Sequence, residues 1–190
     1  MANINIFELA NNIISGAKIV PELENLKGVQ QNSLYHPEGD AYQHTMLVIK
    51  EALKVADVAQ NPEGFILSAI CHDFGKAEKT TFNEEKGTYT SYGHDKASVP
   101  LADAFLKREG LESFSAYVEN MCELHMQPTP LFQQGAKEKS TNKLFSKSVC
   151  PSDLILLARC DHYGRGEVKE GSYEETEAFL RERLEIFKSL

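Results

Sequence analysis

Apolar residues recur at the spacing of buried helix faces along much of the chain. This pattern predicts four helices, over residues 41–59, 62–73, 113–126 and 151–162. The second of them begins with Asn61 and Pro62, a capping residue followed by proline at the first helical position. We expect it to end near Asp73, with Gly75 providing the turn after its last residue.

The C-terminal segment also reads as a helix, whereas signals for strands are weak. Ser172 and Glu175 have the spacing of a capping box ahead of an amphipathic run. Only residues 87–93, GTYTSYG, alternate in the manner of a strand, and they are too few to form a sheet alone. The sequence therefore predicts a single all-α domain over residues 1–190, with one long loop at about 76–93.

Composition narrows the classes of function. A chain of 190 residues is long enough to bury one substantial core, and its net charge of −8 argues against general DNA binding. The first residues lack the basic start and apolar block of a secretory signal, and no apolar run is long enough to span a membrane. The four cysteines form no CxxC pair. We expect a cytoplasmic protein with reduced thiols.

Several predicted helices carry one titratable side chain on an otherwise apolar face. His44, His125 and Asp161 each share the apolar stripe of their helix, and His72 and Asp73 end the 62–73 helix. Burying any one of these groups without a partner would cost a few kcal/mol. A divalent cation satisfies imidazole and carboxylate ligands together. A carboxylate such as Asp73 can also bridge two metal ions.

Taken one at a time, these residues have ordinary explanations. A lone buried histidine is more often a hydrogen-bonded core residue than a ligand, and Asp161 alone can cap a helix or pair with Arg159 or Arg165. The role of His36 is open. His162 adjoins Asp161 and so points about 100° away around the helix, which makes it the expected bystander. The recurrence of such residues on several helices favours the metal site.

These residues resemble the metal ligands of a known protein family. His44, the pair His72–Asp73 and Asp161 resemble the metal ligands of the HD-domain metal-dependent phosphohydrolases. His94 and His125 resemble the two further histidines of members that bind a second metal. The similarity is strongest over residues 30–166, and it is greatest to the HD domain of bacterial tRNA nucleotidyltransferases, the CCA-adding enzymes. No counterpart of their nucleotidyltransferase head is found in the 190 residues, so CCA addition is not expected.

The resemblance implies a metal-dependent phosphoric ester hydrolase that uses metal-activated water. Expected substrates are phosphoesters of a nucleotide or an RNA 3′ end, cleaved as by a 2′,3′-cyclic phosphodiesterase, a 2′-nucleotidase or a phosphatase. The ligand types admit one or two ions of Ni, Co, Mn, Fe, Mg or Zn. Two alternatives stay open. One is a 5′-nucleotidase or nucleoside triphosphate hydrolase, and the other is a non-catalytic, metal-stabilised module that binds RNA or protein.

Three cationic features are candidates for contact with substrate. We expect Asp73 and Lys76 to be catalytic, and Lys76 and Arg165 to contact phosphate, although Lys76 can equally be a solvated lysine near a helix end. A further set of lysines recurs every fourth residue and would form one basic edge of a helix. They are Lys139, Lys143 and Lys147. This edge is either a rim that receives an RNA end or, as the sequence alone favours, a solvated face.

Pro100 bears on the position of His94. It stands six residues after His94, so either the helix begins near Ser98, with proline in its first turn, or it is kinked at Pro100.

Overall fold

The computed structural model describes residues 4–190, and it confirms an all-α fold. The α-helices are α1 (Ile6–Ile14), α2 (Pro21–Glu24), α3 (Ala41–Val55), α4 (Pro62–Cys71), α5 (Lys76–Lys79), α6 (His94–Glu109), α7 (Ser115–Leu124), α8 (Pro128–Gln133), α9 (Glu138–Phe145), α10 (Pro151–Tyr163) and α11 (Glu174–Lys188). Single 3₁₀ turns occupy Ala56–Val58 and Glu112–Phe114. Two short antiparallel strands, β1 (Thr81–Asn83) and β2 (Thr88–Thr90), pair Thr81 with Thr90.

Helix α4 lies at the centre of the molecule. Every residue from Gly64 to Cys71 is buried, because the helix is apolar on all sides and other helices enclose it. Helices α1, α3, α7 and α10 pack against it, and α6 packs along α7. Helix α11 lies outside this group, against α8, α9 and α10. The centre of the fold therefore brings together the ends of α3, α4, α6, α7 and α10.

The predicted starts of the central helices are confirmed by their caps. The Asn61 side chain accepts a hydrogen bond from the Gly64 amide at 3.0 Å, directly before Pro62. Asp40 caps α3 in the same way, through the Gln43 amide at 2.9 Å. Helix α3 is shorter than predicted, because the chain tightens into a 3₁₀ turn after Val55. Within residues 4–190, no helix combines the length and apolar character needed to cross a bilayer.

The segment predicted as a long loop, residues 76–93, contains regular structure. It holds the short helix α5 and the hairpin of β1 and β2. Phe82 and Tyr89 face each other across the hairpin, with ring centroids 5.2 Å apart. This cross-strand aromatic contact stabilises a pairing that is too short to be recognised from alternation alone.

Gly75 does not have the predicted helix-ending conformation. Its φ is −68°, and it precedes α5 with ordinary right-handed geometry. The glycine is needed instead for close packing, because an added Cβ would lie 2.7 Å from the Ser98 amide nitrogen and would overlap the His94 carbonyl oxygen. Gly75 thus allows the turn after α4 to contact the first turns of α6.

The structure corrects the predicted start of the last helix and decides between the two alternatives left open for α6. Helix α11 begins at Glu174 without a side-chain cap, so Ser172 and Glu175 form no capping box. The Ser172 hydroxyl instead lies 2.8 Å from Nε2 of His162. Helix α6 begins at His94 rather than near Ser98, which leaves Pro100 on an exposed position inside the helix.

Candidate metal centre

Six titratable side chains meet where the central helices end. His44 lies in the first turn of α3, His72 and Asp73 directly follow α4, His94 begins α6, His125 directly follows α7, and Asp161 lies in the last turns of α10. The four histidines and Asp73 are buried, and the Asp161 side chain is 14% exposed. The structure therefore brings together every residue that the sequence predicted as a metal ligand.

Three of the histidines are each oriented by a local hydrogen bond of the same kind. The Nδ1 atoms of His72, His94 and His125 each bond to a backbone carbonyl three residues earlier in the chain. These carbonyls belong to Ala69, Ser91 and Cys122, at 2.9, 2.7 and 2.7 Å, respectively. A carbonyl oxygen only accepts, so Nδ1 carries the proton and the Nε2 lone pair faces the shared interior.

His44 is oriented by a carboxylate that the sequence analysis did not identify. Its Nδ1 donates to Oε1 of Glu38 at 2.8 Å, and Nδ1 of His36 donates to the same oxygen at 2.9 Å. The Glu38 side chain is only 2% exposed. Burial by itself raises the pKa of Glu38, but the hydrogen bonds from His36 and His44 lower it to about 2. Glu38 is therefore ionised, and Nδ1 of His44 carries the proton of this hydrogen bond. Nε2 of His44 lies 2.9 Å from Oδ1 of Asp161, so a proton or a cation lies between these two atoms.

Asp73 lies between two pairs of imidazoles. Its Oδ1 is 3.1 Å from Nε2 of His94 and 3.7 Å from Nε2 of His125. Its Oδ2 is 3.3 Å from Nε2 of His72 and 3.7 Å from Nε2 of His44. Burial raises the pKa of Asp73, but the neighbouring His72 and Lys76 side chains hold that pKa well below the usual range. An ionised carboxylate in this position can bridge two cations.

The arrangement of these nitrogen and oxygen atoms fits a divalent cation. Nε2 of His94 and Nε2 of His125 lie 3.3 Å apart, although both present lone pairs. Nε2 of His72 is buried without a hydrogen-bond partner among residues 4–190. Such contacts are unfavourable in a buried site unless a proton or a cation lies between the atoms.

Among residues 4–190, three groups of possible ligand atoms each lie within 4.8 Å of one another. Two lie at the cluster: His44, His72 and Asp161, and Asp73, His94 and His125. The third is His36, Glu38 and His44, in which Glu38 accepts hydrogen bonds from both histidines. Mixed nitrogen and oxygen ligands of this kind suit several divalent metals.

Ser98 connects the turn after α4 to the start of α6. Its buried hydroxyl accepts from the Gly75 amide at 2.9 Å and lies 2.8 Å from the carbonyl oxygens of both His72 and His94. The hydroxyl thus connects the turn that carries His72 and Asp73 to the start of α6. The sequence analysis missed Ser98, because a serine inside an amphipathic helix gives no signal of a tertiary contact.

Lys76 is a buried member of the site and not a solvated lysine. It is 7% exposed, and its Nζ donates to Oε1 of Gln31 at 2.7 Å. The same Nζ lies 2.7 Å from Oδ2 of Asp73, an ion-pair contact outside hydrogen-bond geometry. Arg165 lies nearby, and its buried Nε has no hydrogen-bond partner among residues 4–190.

The site opens to solvent through a cavity of about 210 Å³, which we call the cleft. Asp73, His94 and Asp161 lie at its base, and Lys76 and Arg165 lie on its walls. Its rim carries three tyrosines, all exposed: Tyr35, Tyr89 and Tyr92. The cluster is therefore accessible to a small molecule.

The remaining predicted residues lie outside the cluster. Nε2 of His162 bonds to the Ser172 hydroxyl, so this histidine is directed away from the other four. Lys139, Lys143 and Lys147 are exposed on or just after α9, and only Lys143 and Lys147 line a concave surface there. Lys139 therefore differs from the other two in its surroundings, and the predicted contact of the three with substrate stays a prediction.

Comparison with known proteins identifies the family. The model of the HD domain family matches residues 41–165, a range that includes all six clustered residues. The chain belongs to the HD domain family. The predicted resemblance is thus confirmed, and HD domains bind divalent metals, as the cluster of histidines and aspartates is suited to do.

Curated relatives extend the comparison. Over 165 residues the chain is 30% identical to a multifunctional CCA protein of Pasteurella multocida, covering 84% of this chain and 38% of that protein. Over 96 residues it is 38% identical to a multifunctional CCA protein of Actinobacillus pleuropneumoniae, covering 50% of this chain and 22% of that protein. The matched region thus spans well under half the length of these relatives.

Proposed function

We propose that this HD domain is a divalent-metal-dependent hydrolase of phosphoesters in nucleotides or RNA ends, of the 2′,3′-cyclic phosphodiesterase, 2′-nucleotidase or phosphatase type. The observation that carries the proposal is the convergence of four imidazole Nε2 atoms and two carboxylates at the base of an open cleft. A closed structural site would have no need of such an opening.

The metal ligands in this proposal are the clustered residues. His44, His72 and Asp161 would hold one ion, His94 and His125 would hold a second, and Asp73 would contact both. A divalent ion in such a site activates water for attack on phosphorus and offsets the charge of the phosphoryl oxygens. Hydrogen bonds from Nδ1 to fixed acceptors keep each imidazole aimed at the ion, which reduces reorganisation during turnover.

Two cations are positioned to receive the phosphate. Lys76 and Arg165 both line the cleft, and Nε of Arg165 has no partner within residues 4–190. A guanidinium can form paired hydrogen bonds with phosphate oxygens, whereas an ammonium acts as a point charge. We assign Arg165 to binding of the phosphoryl group, and Lys76 to binding of the same group and to orientation of Asp73.

Exposed aromatic side chains at the rim of the cleft favour a nucleotide as the substrate that contains this phosphate. Tyr35 and Tyr92 are 59% and 69% exposed at the rim, although large aromatic side chains usually bury their rings. A nucleobase stacks on such a ring with a gain of about 1–3 kcal/mol. The amide side chains of Gln31 and Asn32 line the same opening and supply hydrogen-bonding groups.

The proposal is tested by hydrolysis assays with purified protein and Mn²⁺, Ni²⁺, Co²⁺ or Mg²⁺. We expect turnover of bis-p-nitrophenyl phosphate and then of 2′,3′-cyclic or 2′-phosphorylated nucleotides, and loss of turnover in Asp73→Asn. His162→Ala is the matched control, because it removes a histidine from the end of α10 that is directed away from the cluster.

Preference for 5′-monophosphates or triphosphates would replace the proposed specificity with that of a 5′-nucleotidase or triphosphate hydrolase. No turnover with any metal would favour a non-catalytic module.

A further inference from the structure

A groove lies beside the cleft, between α8 and α9, and nothing in the proposed chemistry uses it. It has a volume of about 360 Å³, and we call it the lysine groove. The residues that define it are Met126, Pro130, Ser140, Lys143, Leu144 and Lys147.

The lysine groove and the cleft share lining residues with a cavity that lies between them. A second cavity, of about 270 Å³, shares His36, Asp161 and Arg165 with the cleft. That cavity shares Met126 and Pro130 with the lysine groove. Met126 lines all three spaces, and it is 44% exposed. Three neighbouring cavities thus lie in sequence between the metal ligands and the two lysines, and Met126 borders each of them.

The charge of the lysine groove is opposite to that of the whole protein. No carboxylate lines it, although the chain carries a net charge of −8. Lys143 and Lys147 form no ion pair with any of residues 4–190. Lys147 also borders a neighbouring cavity, where Asp95 and Glu123 offset the charges of Lys96 and Lys147. The lysine groove is thus the path away from the cleft that suits a polyanion.

We propose that the lysine groove binds the RNA strand next to the end whose phosphoester lies at the metal centre. The inference rests on the proposed function and narrows its substrate from free nucleotides to RNA ends. Single strands bind to proteins through a cationic groove with apolar or aromatic surfaces for the bases. Lys143 and Lys147 supply the charge, and Met126, Pro130 and Leu144 supply the apolar surface.

The test measures binding and hydrolysis separately. Fluorescence anisotropy follows a labelled single-stranded oligoribonucleotide with metal-free protein in EDTA at several salt concentrations. The variant is Lys143→Gln with Lys147→Gln, and the matched control is Lys139→Gln. Lys139 is exposed on the same helix, about one turn before Lys143, but it does not line the groove. Hydrolysis of a mononucleotide and of the oligonucleotide end is then compared with metal present.

We expect the double variant to bind the oligonucleotide more weakly and to lose about 1.4 from the slope of log K against log salt, or about 0.7 for each phosphate contact. Lys139→Gln should match the wild type, and hydrolysis of the mononucleotide should be unchanged in all three proteins. Equal binding by the double variant and the wild type would overturn the inference. An equal loss in Lys139→Gln, or equally good displacement of the RNA by polyglutamate, would also overturn it, because a general attraction for anions would then explain the binding.

The two proposals fail in different ways. If no substrate is hydrolysed but RNA binding depends on Lys143 and Lys147, the proposed function fails and the groove assignment stands. If the mononucleotide is hydrolysed as proposed but the lysines do not affect RNA binding, only the groove assignment fails.

Discussion

Glu38 offers the sharpest test of how the metal ligands are oriented. Its Oε1 accepts from Nδ1 of His44 at 2.8 Å, so Nε2, which faces Oδ1 of Asp161 at 2.9 Å, is the nitrogen directed at the proposed metal site. Glu38→Gln retains the size of the side chain and an acceptor oxygen, but it removes the negative charge. Hydrogen bonds to charged groups contribute about 1.5–3 kcal/mol, and those between neutral groups contribute about 0.5–1.5 kcal/mol.

The difference, about 1–1.5 kcal/mol, corresponds to roughly a tenfold weaker affinity for the ion held by His44. This lies within the range of about 10–100-fold reported generally for residues that orient metal ligands. Isothermal titration of Mn²⁺ into metal-free protein measures the change directly. Circular dichroism should show the same helix content in the variant and the wild type.

Glu78→Gln provides the matched control, because Glu78 is an exposed glutamate on α5. We expect its affinity for Mn²⁺ to equal that of the wild type. An unchanged affinity in Glu38→Gln would refute the reasoning, since the Glu38 carboxylate would then have no part in presenting His44 to the metal.

Three further predictions concern the fold and its response to pH. Gly75→Ala should lower the free energy of unfolding by about 1–3 kcal/mol in urea titrations, because its Cβ would meet the backbone at Ser98; an unchanged midpoint would contradict this close packing. Folding lowers the pKa of Glu38 from 4.5 to about 2, so its ionised form stabilises the metal-free protein above about pH 4.5 and the contribution is lost as the pH falls towards 2. The stability difference between wild type and Glu38→Gln in EDTA should shrink over that interval, and a constant difference would count against the assignment. Tyr117→Phe should cost about 1–2 kcal/mol in thermal unfolding, because the Tyr117 hydroxyl donates to Asp153 at 2.6 Å, and no loss would show that this bond contributes little.

The sequence predicted which titratable side chains meet at the centre of the fold, because the signals for them are local. The apolar periodicity of α3, α4 and α10 fixes which side of each helix is buried, and His44, His72 and Asp161 lie on or at the end of those faces. Asp73 follows directly after the buried helix α4, so its side chain is also expected to face the interior. Membership of the HD domain family agrees with this prediction.

The residues that support the cluster were not predictable in this way, because their roles depend on contacts that no periodic pattern in the sequence marks. Glu38 lies in a segment without helical periodicity, and only the folded chain brings it against His44. Gly75 resembled a helix stop, whereas its actual role is set by the approach of Ser98 on α6. Ser172 had the spacing of a cap but bonds to His162 instead.

The central claim is that Asp73 and the surrounding histidines hold divalent metal. The most direct measurement is the metal content of the protein by inductively coupled plasma mass spectrometry, after loading with Mn²⁺ and desalting, for wild type, Asp73→Asn and His162→Ala. We predict one or two ions per chain in the wild type and in His162→Ala, and a clear loss in Asp73→Asn. A wild-type protein without metal, or an Asp73→Asn protein with the same content as the wild type, would contradict the account.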